Sequence, residues 1–342
     1  MTENGTTTLS GTSIAPLSGA MPRPTVTDGG AGWRSVELIG RGITFALDQP
    51  GPSPESPAVV LMHGLTATGS LNWAATIAAL KERYRVIALD HRGHGRGIRS
   101  DDAFSLEDCA DDAVALMDAL GVPKAIFVGY SMGGPIAQLV WRRHRERVAG
   151  LVLCATAADF TTTPEHWRLV QALEKVRRVA YVIPRPIRLR FARPIVGGLV
   201  SDPELRNEVF AAVSSHEERA IHEAERAIRR FQSTSWIGEV DVPVVVVVTR
   251  RDRIVRPALQ WQLAELIPGA RTIEIDAAHL AAFTKPDLVA NAVASACDAI
   301  ARLHAPASRR RFGERLWQLF RGRRRRRASR GRRPALVTHR RT

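Results

Sequence analysis

One stretch of this chain, Phe127-Val128-Gly129-Tyr130-Ser131-Met132-Gly133-Gly134, constrains its fold more than any other. Residues 124–128 are mostly apolar and follow a turn signal, so they predict a buried strand. Residues 136–141 carry apolar side chains at helical spacing and predict a helix. Ser131 is therefore expected at the tip of a sharp strand-to-helix turn.

The glycines on either side of this serine have a physical reason. Such a turn strains the backbone, and side chains at Gly129 and Gly133 would collide with the adjacent strand and helix. The turn also places Ser131 at a helix N-terminus, where backbone N–H groups favour developing negative charge. Both features are typical of a nucleophile elbow. The alternative is an ordinary tight turn that happens to contain a serine.

Four patches, taken in chain order, resemble the α/β-hydrolase family, and the resemblance covers about residues 33–303. They are His63-Gly64, Asp90-His91-Arg92-Gly93-His94-Gly95, the turn around Ser131, and Asp252 followed by His279. The resemblance implies an α/β fold with a mostly parallel, doubly wound sheet and a helical cap insertion. It also implies a serine hydrolase, similar to esterases and lipases, with a Ser-His-Asp catalytic triad.

Strand and helix patterns alternate along the chain, which predicts a parallel sheet covered by helices on both faces. The predicted strands are 33–39, 43–47, 58–62, 85–89, 124–128, 148–154, 242–248 and 272–275, the first two forming a hairpin through Gly40 and Gly42. The predicted helices are 72–83, 105–120, the segment after Ser131, and 286–303.

Composition divides the chain into four parts. Residues 1–32 are rich in Thr, Ser, Gly and Pro without the pattern of a secretory signal, so we expect disorder there. Residues 33–155 and 239–304 form the predicted hydrolase core. Residues 156–238, where the alternation stops, are predicted to form a helical cap; the alternative is a set of surface helices without a role in substrate choice. Residues 305–342 form a tail.

The predicted base is His279. In the family that the chain resembles, the catalytic residues follow the order nucleophile, acid, base. Of the ten histidines, only His279, His304 and His339 follow Asp252, and His339 lies in the basic tail while His304 ends the last predicted helix. His279 comes just after a short predicted strand, on a loop at the carboxyl edge of the sheet.

The predicted acid is Asp252, which follows the strand at 242–248. A carboxylate there would fix the tautomer of the imidazole and stabilise the imidazolium. Arginines flank Asp252 on both sides; we expect them to keep it ionised, although they could instead form a surface salt bridge. Asp159, after the preceding strand, is the second candidate, since some members of the family place the acid there.

Two backbone N–H groups are expected to form an oxyanion hole. Met132 follows the nucleophile, and the family places the second donor just after a His-Gly pair, which makes Leu65 the candidate. His63 and Gly64 are predicted to shape that loop. The residues 90–95 are interpreted as a structural loop, because His91 and His94 lack further metal ligands. No phosphate-binding or dinucleotide fingerprint is present, so no cofactor and no metal are expected.

The charge of the chain is concentrated in its tail. Residues 308–342 contain fifteen Arg and one Glu, which gives +14 of the total +15. An apolar helical face precedes the arginine run. Its members are Phe312, Leu316, Trp317, Leu319 and Phe320. Together they make the tail a candidate for binding an anionic membrane surface, whereas docking on the catalytic body and non-specific nucleic-acid binding are the alternatives.

The sequence thus predicts a cytoplasmic serine hydrolase, peripheral on the inner membrane face if the tail binds lipid. Three widely spaced cysteines, Cys109, Cys154 and Cys297, are expected to be buried and reduced. The substrate is expected to be a carboxylic ester or a related acyl compound. Acyl transfer, carbon–carbon bond hydrolysis and perhydrolysis use the same triad and stay open. So does a non-catalytic membrane or nucleic-acid binding protein on a hydrolase scaffold. Specific nucleic-acid recognition is not expected.

Overall fold

The structure, a computed structural model, describes residues 27–28, 32–160, 207, 211 and 215–304 of the chain. Nearly all of the N-terminal segment predicted to be disordered lies outside these residues. So do residues 161–206 of the predicted cap, most of 207–214, and the whole tail from residue 305. The predicted hydrolase core falls almost entirely within the described part of the chain.

One sheet of nine strands forms the centre of the fold, in the order β1-β2-β3-β5-β4-β6-β7-β8-β9. Strands β1 to β3 pair antiparallel and form one margin, whereas the six strands β4 to β9 are parallel to one another. The strands are β1 Thr27–Asp28, β2 Trp33–Leu38, β3 Gly42–Gln49, β4 Ala58–Met62, β5 Arg85–Leu89, β6 Ala125–Tyr130, β7 Val148–Cys154, β8 Val244–Thr249 and β9 Arg271–Ile275. The predicted α/β class with a mostly parallel sheet is confirmed.

The described residues contain seven α-helices and two short 3-10 helices, Arg145–Arg147 and Ile237–Glu239. The α-helices are α1 Gly69–Leu80, α2 Leu106–Ala119, α3 Gly133–Arg143, α4 Glu218–Arg230, α5 Pro257–Leu266, α6 Ala281–Thr284 and α7 Pro286–His304. Helix α2 begins where its sequence predicts, because the Ser105 hydroxyl accepts the backbone N–H of Asp108 at 3.0 Å. None of the helices in the described ranges has both the length and the apolar character needed to cross a bilayer.

Helix α1 begins three residues earlier than predicted. The Thr68 hydroxyl accepts the backbone N–H of Leu71 at 3.2 Å and acts as the N-cap. The Asp90 carboxylate accepts the N–H of Gly69 at 2.8 Å, so a side chain distant in sequence satisfies a second free donor of the first turn.

The central strand β4 is buried on both faces because it is apolar at every position. In β4, Val59 and Leu61 face a hydrophobic cluster shared with α1 and α7, while Val60 and Met62 face the opposite cluster, shared with α2 and α3. All four side chains are fully buried. The three cysteines are also buried and free, as the sequence predicts.

Helix α7 runs from the carboxyl ends of the strands to their amino ends. It starts after the loop that follows the carboxyl end of β9, and its 19 residues span about 28 Å at ~1.5 Å per residue. At its far end, His304 Nε2 donates to the carbonyl of Ala149, near the amino end of β7, at 2.7 Å. The last described residue, His304, therefore lies at the amino ends of the strands, opposite their carboxyl ends.

Candidate active site

Ser131 directly follows β6 and has φ +52°, in the left-handed region that non-glycine residues rarely adopt. Three hydrogen bonds hold this conformation. The Ser131 N–H donates to Cys154 O at 2.9 Å, and the Ser131 carbonyl accepts the Thr156 hydroxyl at 2.9 Å and the Gly134 N–H at 2.9 Å. Both polar groups of the strained residue are thereby bonded, so the turn is fixed on both sides of the serine.

Close packing explains why glycines flank the serine. A Cβ at Gly129 would overlap the carbonyl of Gly133 in the first turn of α3. A Cβ at Gly133 would in turn overlap the carbonyl of Met62 in the neighbouring strand β4. The strand, the turn and the helix therefore approach more closely than any side chain would allow.

The structure brings together the three residues that the sequence predicts as a triad. Ser131 Oγ lies 2.9 Å from His279 Nε2, and His279 Nδ1 lies 2.7 Å from Asp252 Oδ2. The carboxylate can only accept, so Nδ1 carries a proton and Nε2 is left to accept the serine hydroxyl. The side chain of Asp252 is 0% exposed and that of His279 is 11% exposed.

The three side chains stand at the carboxyl ends of three parallel strands of the sheet. Ser131 follows β6, Asp252 comes three residues after β8, and His279 four residues after β9. In parallel sheets covered by helices, this edge is where ligand crevices form. The candidate site therefore occupies the position that the fold favours for chemistry.

Hydrogen bonds, not arginines, hold the Asp252 carboxylate. Its Oδ1 accepts the backbone N–H groups of Ile254 at 2.8 Å and Val255 at 2.9 Å. Its Oδ2 accepts the hydroxyl of Thr249 at 2.8 Å in addition to His279 Nδ1. These donors fix the plane of the carboxylate, so the imidazole meets one defined oxygen.

Two of the arginines that flank Asp252 pair with other carboxylates. Arg251 forms a bidentate pair with Asp276, both bonds being 2.6 Å long, and Arg250 lies 3.8 Å from Glu274. Both pairs are exposed. The arginines thus form the surface salt bridges that were the alternative. No ion pair between Asp252 and an arginine is found within the part of the chain that the structure describes.

Asp159, the second candidate for the acid, lies elsewhere. It forms an isolated antiparallel bridge with Gln232, and its carboxylate accepts the Gln232 side-chain amide at 3.4 Å. The carboxylate that accepts the proton on His279 Nδ1 is that of Asp252. Geometry therefore favours Asp252 over Asp159 as the partner of the imidazole.

The proposed oxyanion donors lie on two loops near the serine. A Cβ at Gly64 would be only 3.4 Å from the Ser131 Cβ, so the loop after β4 passes directly beside the elbow. Among the described residues, neither Leu65 N–H nor Met132 N–H has a backbone acceptor. Both N–H groups therefore stay candidates for binding an oxyanion. The next residue, Thr66, has φ +57°, which marks a sharp change of direction in this loop.

His63 is fully buried and bonded at both ring nitrogens. Its Nε2 accepts the backbone N–H of His91 at 3.0 Å, so Nδ1 carries the ring proton and donates to the Gly64 carbonyl at 2.7 Å. Burial holds the pKa of His63 well below its usual range, which keeps the ring neutral. These contacts agree with a residue that shapes the loop and not with an acid or a base.

The loop after β5 is organised by its own side chains. Asp90 accepts the N–H groups of Gly69 and Arg96 at 2.8 and 2.9 Å and so ties this loop to α1. His91 and His94 are buried beside His63, with ring centroids 4.4 and 5.3 Å from it. Burial lowers the pKa of His91 to about 3 and that of His94 well below normal. No metal-binding cluster of His, Cys, Asp or Glu occurs among the residues that the structure describes.

Several residues around the site were not predicted. The Tyr130 hydroxyl donates to the carbonyl of His279 at 2.6 Å and ties the base loop to the elbow strand. Thr156 bonds to the Ser131 carbonyl, Asn72 accepts the Gly64 N–H at 3.1 Å, and Gln260 donates to Val255 O at 2.7 Å. Each contact joins residues far apart in sequence or in a loop of no regular pattern, so no local signal marks it.

Comparisons with known proteins identify the family of the chain. A family model described as alpha/beta hydrolase fold matches residues 57–286, more than half of the chain. A poly(3-hydroxyalkanoate) depolymerase of Ectopseudomonas oleovorans is 28% identical over 271 residues, covering 79% of this chain and 92% of that protein.

Solved structures give the same result. A thermophilic esterase from Thermogutta terrifontis aligns with TM-score 0.63 and 26% identity over 79% of this chain and 99% of its own. An enol-lactonase from Burkholderia xenovorans LB400 aligns with TM-score 0.63 and 25% identity over 77% of this chain and 99% of its own. The fold is thus similar to those of an esterase and an enol-lactonase.

Proposed function

The chain belongs to the alpha/beta hydrolase fold family and is a hydrolase, and on that basis we propose that it cleaves carboxylic esters through a Ser-His-Asp triad. Ser131 is the nucleophile, His279 the base and Asp252 the acid of this proposal. The substrate class is a carboxylic ester or a related acyl compound. The names of the similar proteins, a depolymerase, an esterase and an enol-lactonase, support the same class.

In the proposed mechanism, His279 Nε2 takes the hydroxyl proton of Ser131 while Oγ attacks the ester carbonyl. The tetrahedral intermediate carries a negative oxygen, which the N–H groups of Leu65 and Met132 bind. His279 then gives its proton to the departing alcohol, and an acyl-serine remains. A water molecule, deprotonated by His279, attacks the acyl group and releases the acid.

A single observation carries this proposal. The hydrogen-bond chain from Ser131 Oγ through His279 to Asp252 has lengths of 2.9 and 2.7 Å, and it ends on a carboxylate with no exposed side-chain surface. A serine hydroxyl is a weak nucleophile unless a base lies nearby, and here His279 is that base. An incidental serine on a tight turn would not require an aligned imidazole and a buried carboxylate behind it.

A fluorophosphonate probe tests the proposal directly. The full-length protein should be labelled covalently at Ser131, because only an activated serine reacts at a useful rate. The variant Ser131→Ala should not be labelled, while Ser295→Ala, which changes an exposed serine of α7, should label like the wild type. Absence of labelling in the wild type would favour a non-catalytic protein on a hydrolase scaffold. A series of p-nitrophenyl esters of increasing length would then define the acyl preference of the labelled protein.

We propose further that residues 156–238 form the cap of this hydrolase. The described end of this segment is bound to the loop after β5. The N–H of Glu217 donates to Gly93 O at 2.9 Å, and Glu223 accepts the N–H of Phe104 at 2.8 Å. Helix α4 is therefore anchored to a loop at the carboxyl edge of the sheet, where a cap would have to stand.

The tail supports a second proposal, that the enzyme binds peripherally to an anionic membrane surface that faces the cytoplasm. Residues 305–342 lie outside the described part of the chain, so the sequence pattern carries this proposal. Basic residues near such a surface add about 1 kcal/mol each, and an aromatic-rich apolar face adds burial. An arginine run without that face would be a solvated tail or a non-specific nucleic-acid binder.

Co-sedimentation with vesicles tests the membrane proposal. The full chain should pellet with vesicles that contain anionic lipid, whereas a version ending at Ala307 should stay largely in the supernatant. Neutral vesicles serve as the control, since they remove the electrostatic attraction and leave only the apolar face. Equal pelleting of the two versions would contradict the proposal. Tighter binding of the full chain to duplex DNA than to the vesicles at the same salt concentration would contradict it as well.

A further inference from the structure

The peptide group that joins Gly64 to Leu65 is bonded on its carbonyl side only. A trans peptide is planar, so its C=O and its N–H point in opposite directions. His63 Nδ1 donates to the Gly64 carbonyl at 2.7 Å. Whatever fixes the direction of this carbonyl therefore fixes the direction of the Leu65 N–H, which has no backbone acceptor among the described residues.

The ring of His63 is itself held in one tautomer. The backbone N–H of His91 donates to His63 Nε2 at 3.0 Å, and an N–H group can only donate. The ring proton must then reside on Nδ1, where it faces the Gly64 carbonyl. Burial keeps the ring neutral, so this arrangement of donor and acceptor holds at ordinary pH.

A second buried side chain holds the preceding peptide group. The N–H of Gly64 donates to Asn72 Oδ1 at 3.1 Å, and Asn72 lies in the first turn of α1 with 4% of its surface exposed. Asn72 thus holds the peptide group before Gly64, and His63 holds the one after it. The Gly64 carbonyl also accepts the Ala67 N–H at 3.3 Å, which closes a turn through Leu65 and the left-handed residue Thr66. The bonds to His63 and Asn72 hold this turn against the rest of the molecule.

We propose that His63 is a positioning residue, which aims the Leu65 N–H at the oxyanion through the Gly64 carbonyl, and that Asn72 assists it. The inference rests on the proposed ester hydrolysis, because it assigns the donor that acts on that reaction. His63 is fully buried, and its described hydrogen bonds are to the backbone of Gly64 and His91. Its effect should therefore appear when negative charge develops, in kcat, and not in substrate binding, in KM.

Two substitutions separate the two hydrogen bonds of the ring. In His63→Asn, the side-chain amide nitrogen replaces Nδ1 and keeps a donor for the Gly64 carbonyl, but the His91 N–H loses its acceptor. In His63→Gln, the side-chain oxygen replaces Nε2 and keeps that acceptor, but the donor to Gly64 is lost. If His63 had only a structural role, His63→Gln would be the more stable and more active variant. His63→Asn leaves the buried N–H of His91 without an acceptor, which is the costlier defect.

Positioning predicts the opposite order for catalysis. With a p-nitrophenyl ester and the full chain, His63→Gln should lower kcat by about 10- to 100-fold with KM nearly unchanged, somewhat less than deletion of an oxyanion donor, about 10²–10³. His63→Asn should keep kcat within a few-fold of the wild type, even though it melts at a lower temperature than His63→Gln. Near-UV circular dichroism establishes that each variant is folded.

The outcomes are distinct. If kcat follows thermal stability, so that His63→Gln equals or exceeds His63→Asn, the inference is overturned while ester hydrolysis stands. If the wild type neither labels with the probe nor hydrolyses esters, the proposed function falls and takes the inference with it. If neither variant at position 63 folds, Asn72→Leu decides: a lower kcat at constant KM supports the proposal, and an unchanged kcat overturns it.

Discussion

Substitution of Ser131 or His279 by alanine is expected to lower kcat by about 10⁶, as when either member of such a triad is removed. The two side chains share one proton transfer, over the 2.9 Å between Ser131 Oγ and His279 Nε2. Once either is gone, the other has no partner, so the double variant should be little slower than each single one. Steady-state hydrolysis of the preferred p-nitrophenyl ester by the full chain measures all three.

Matched controls come from the last helix. Ser295→Ala and His304→Ala remove the same chemical groups at exposed positions of α7 and should leave kcat unchanged. The residual rate of the triad variants should still exceed that of water, because the donors at Leu65 and Met132 remain. Substantial activity in Ser131→Ala would refute the mechanism. A double variant far slower than either single variant would show that the two residues act independently.

The second large effect is expected at Asp252. Asparagine has nearly the same shape, but its amide can donate to His279 Nδ1, which would move the ring proton to Nε2. In that tautomer the imidazole cannot accept the serine proton, and in a comparable triad the loss of kcat is about 10⁴. The hydrogen bonds from Ile254, Val255 and Thr249 are the reason that we expect the effect at this carboxylate.

Two other carboxylates provide the comparison. Asp159→Asn alters the alternative acid, whose described hydrogen bond is to Gln232, and Asp276→Asn removes an exposed partner of Arg251. Both should change kcat by less than about threefold. A large loss in Asp159→Asn together with a small loss in Asp252→Asn would assign the acid to Asp159.

The parts of the fold that local pattern determines were predictable. Strands β4, β5 and β7 have the predicted bounds, because continuous apolar runs between turn signals leave no other buried element of that length. Helix α2 carries its own start signal in Ser105 and Asp108. The serine turn was predictable for the same reason, since glycine spacing and an adjoining strand and helix all lie within a short stretch.

Contacts between distant segments could not be predicted. The Asp90 carboxylate accepts the Gly69 N–H and so extends α1. Nothing in the sequence near residue 69 indicates that this N–H has such an acceptor. Arg251 stands next to Asp252 in sequence but pairs with Asp276. The course of the loop decides which carboxylate this arginine meets. The bond from Tyr130 to the His279 carbonyl spans 149 positions of the chain. Such contacts arise only once the strands are ordered in the sheet.

Helix α7 determines how the enzyme would be oriented when it is tethered. Its last residue, His304, is bonded beside Ala149 at the amino edge of the sheet, about 28 Å of helix away from the edge that carries Ser131. A short anchor attached directly to this residue would hold the molecule with the edge that carries Ser131 turned outward. An enzyme held in this way at a membrane would sample dissolved esters before those embedded in lipid, and one immobilised on a bead through the same end would keep its entrance clear.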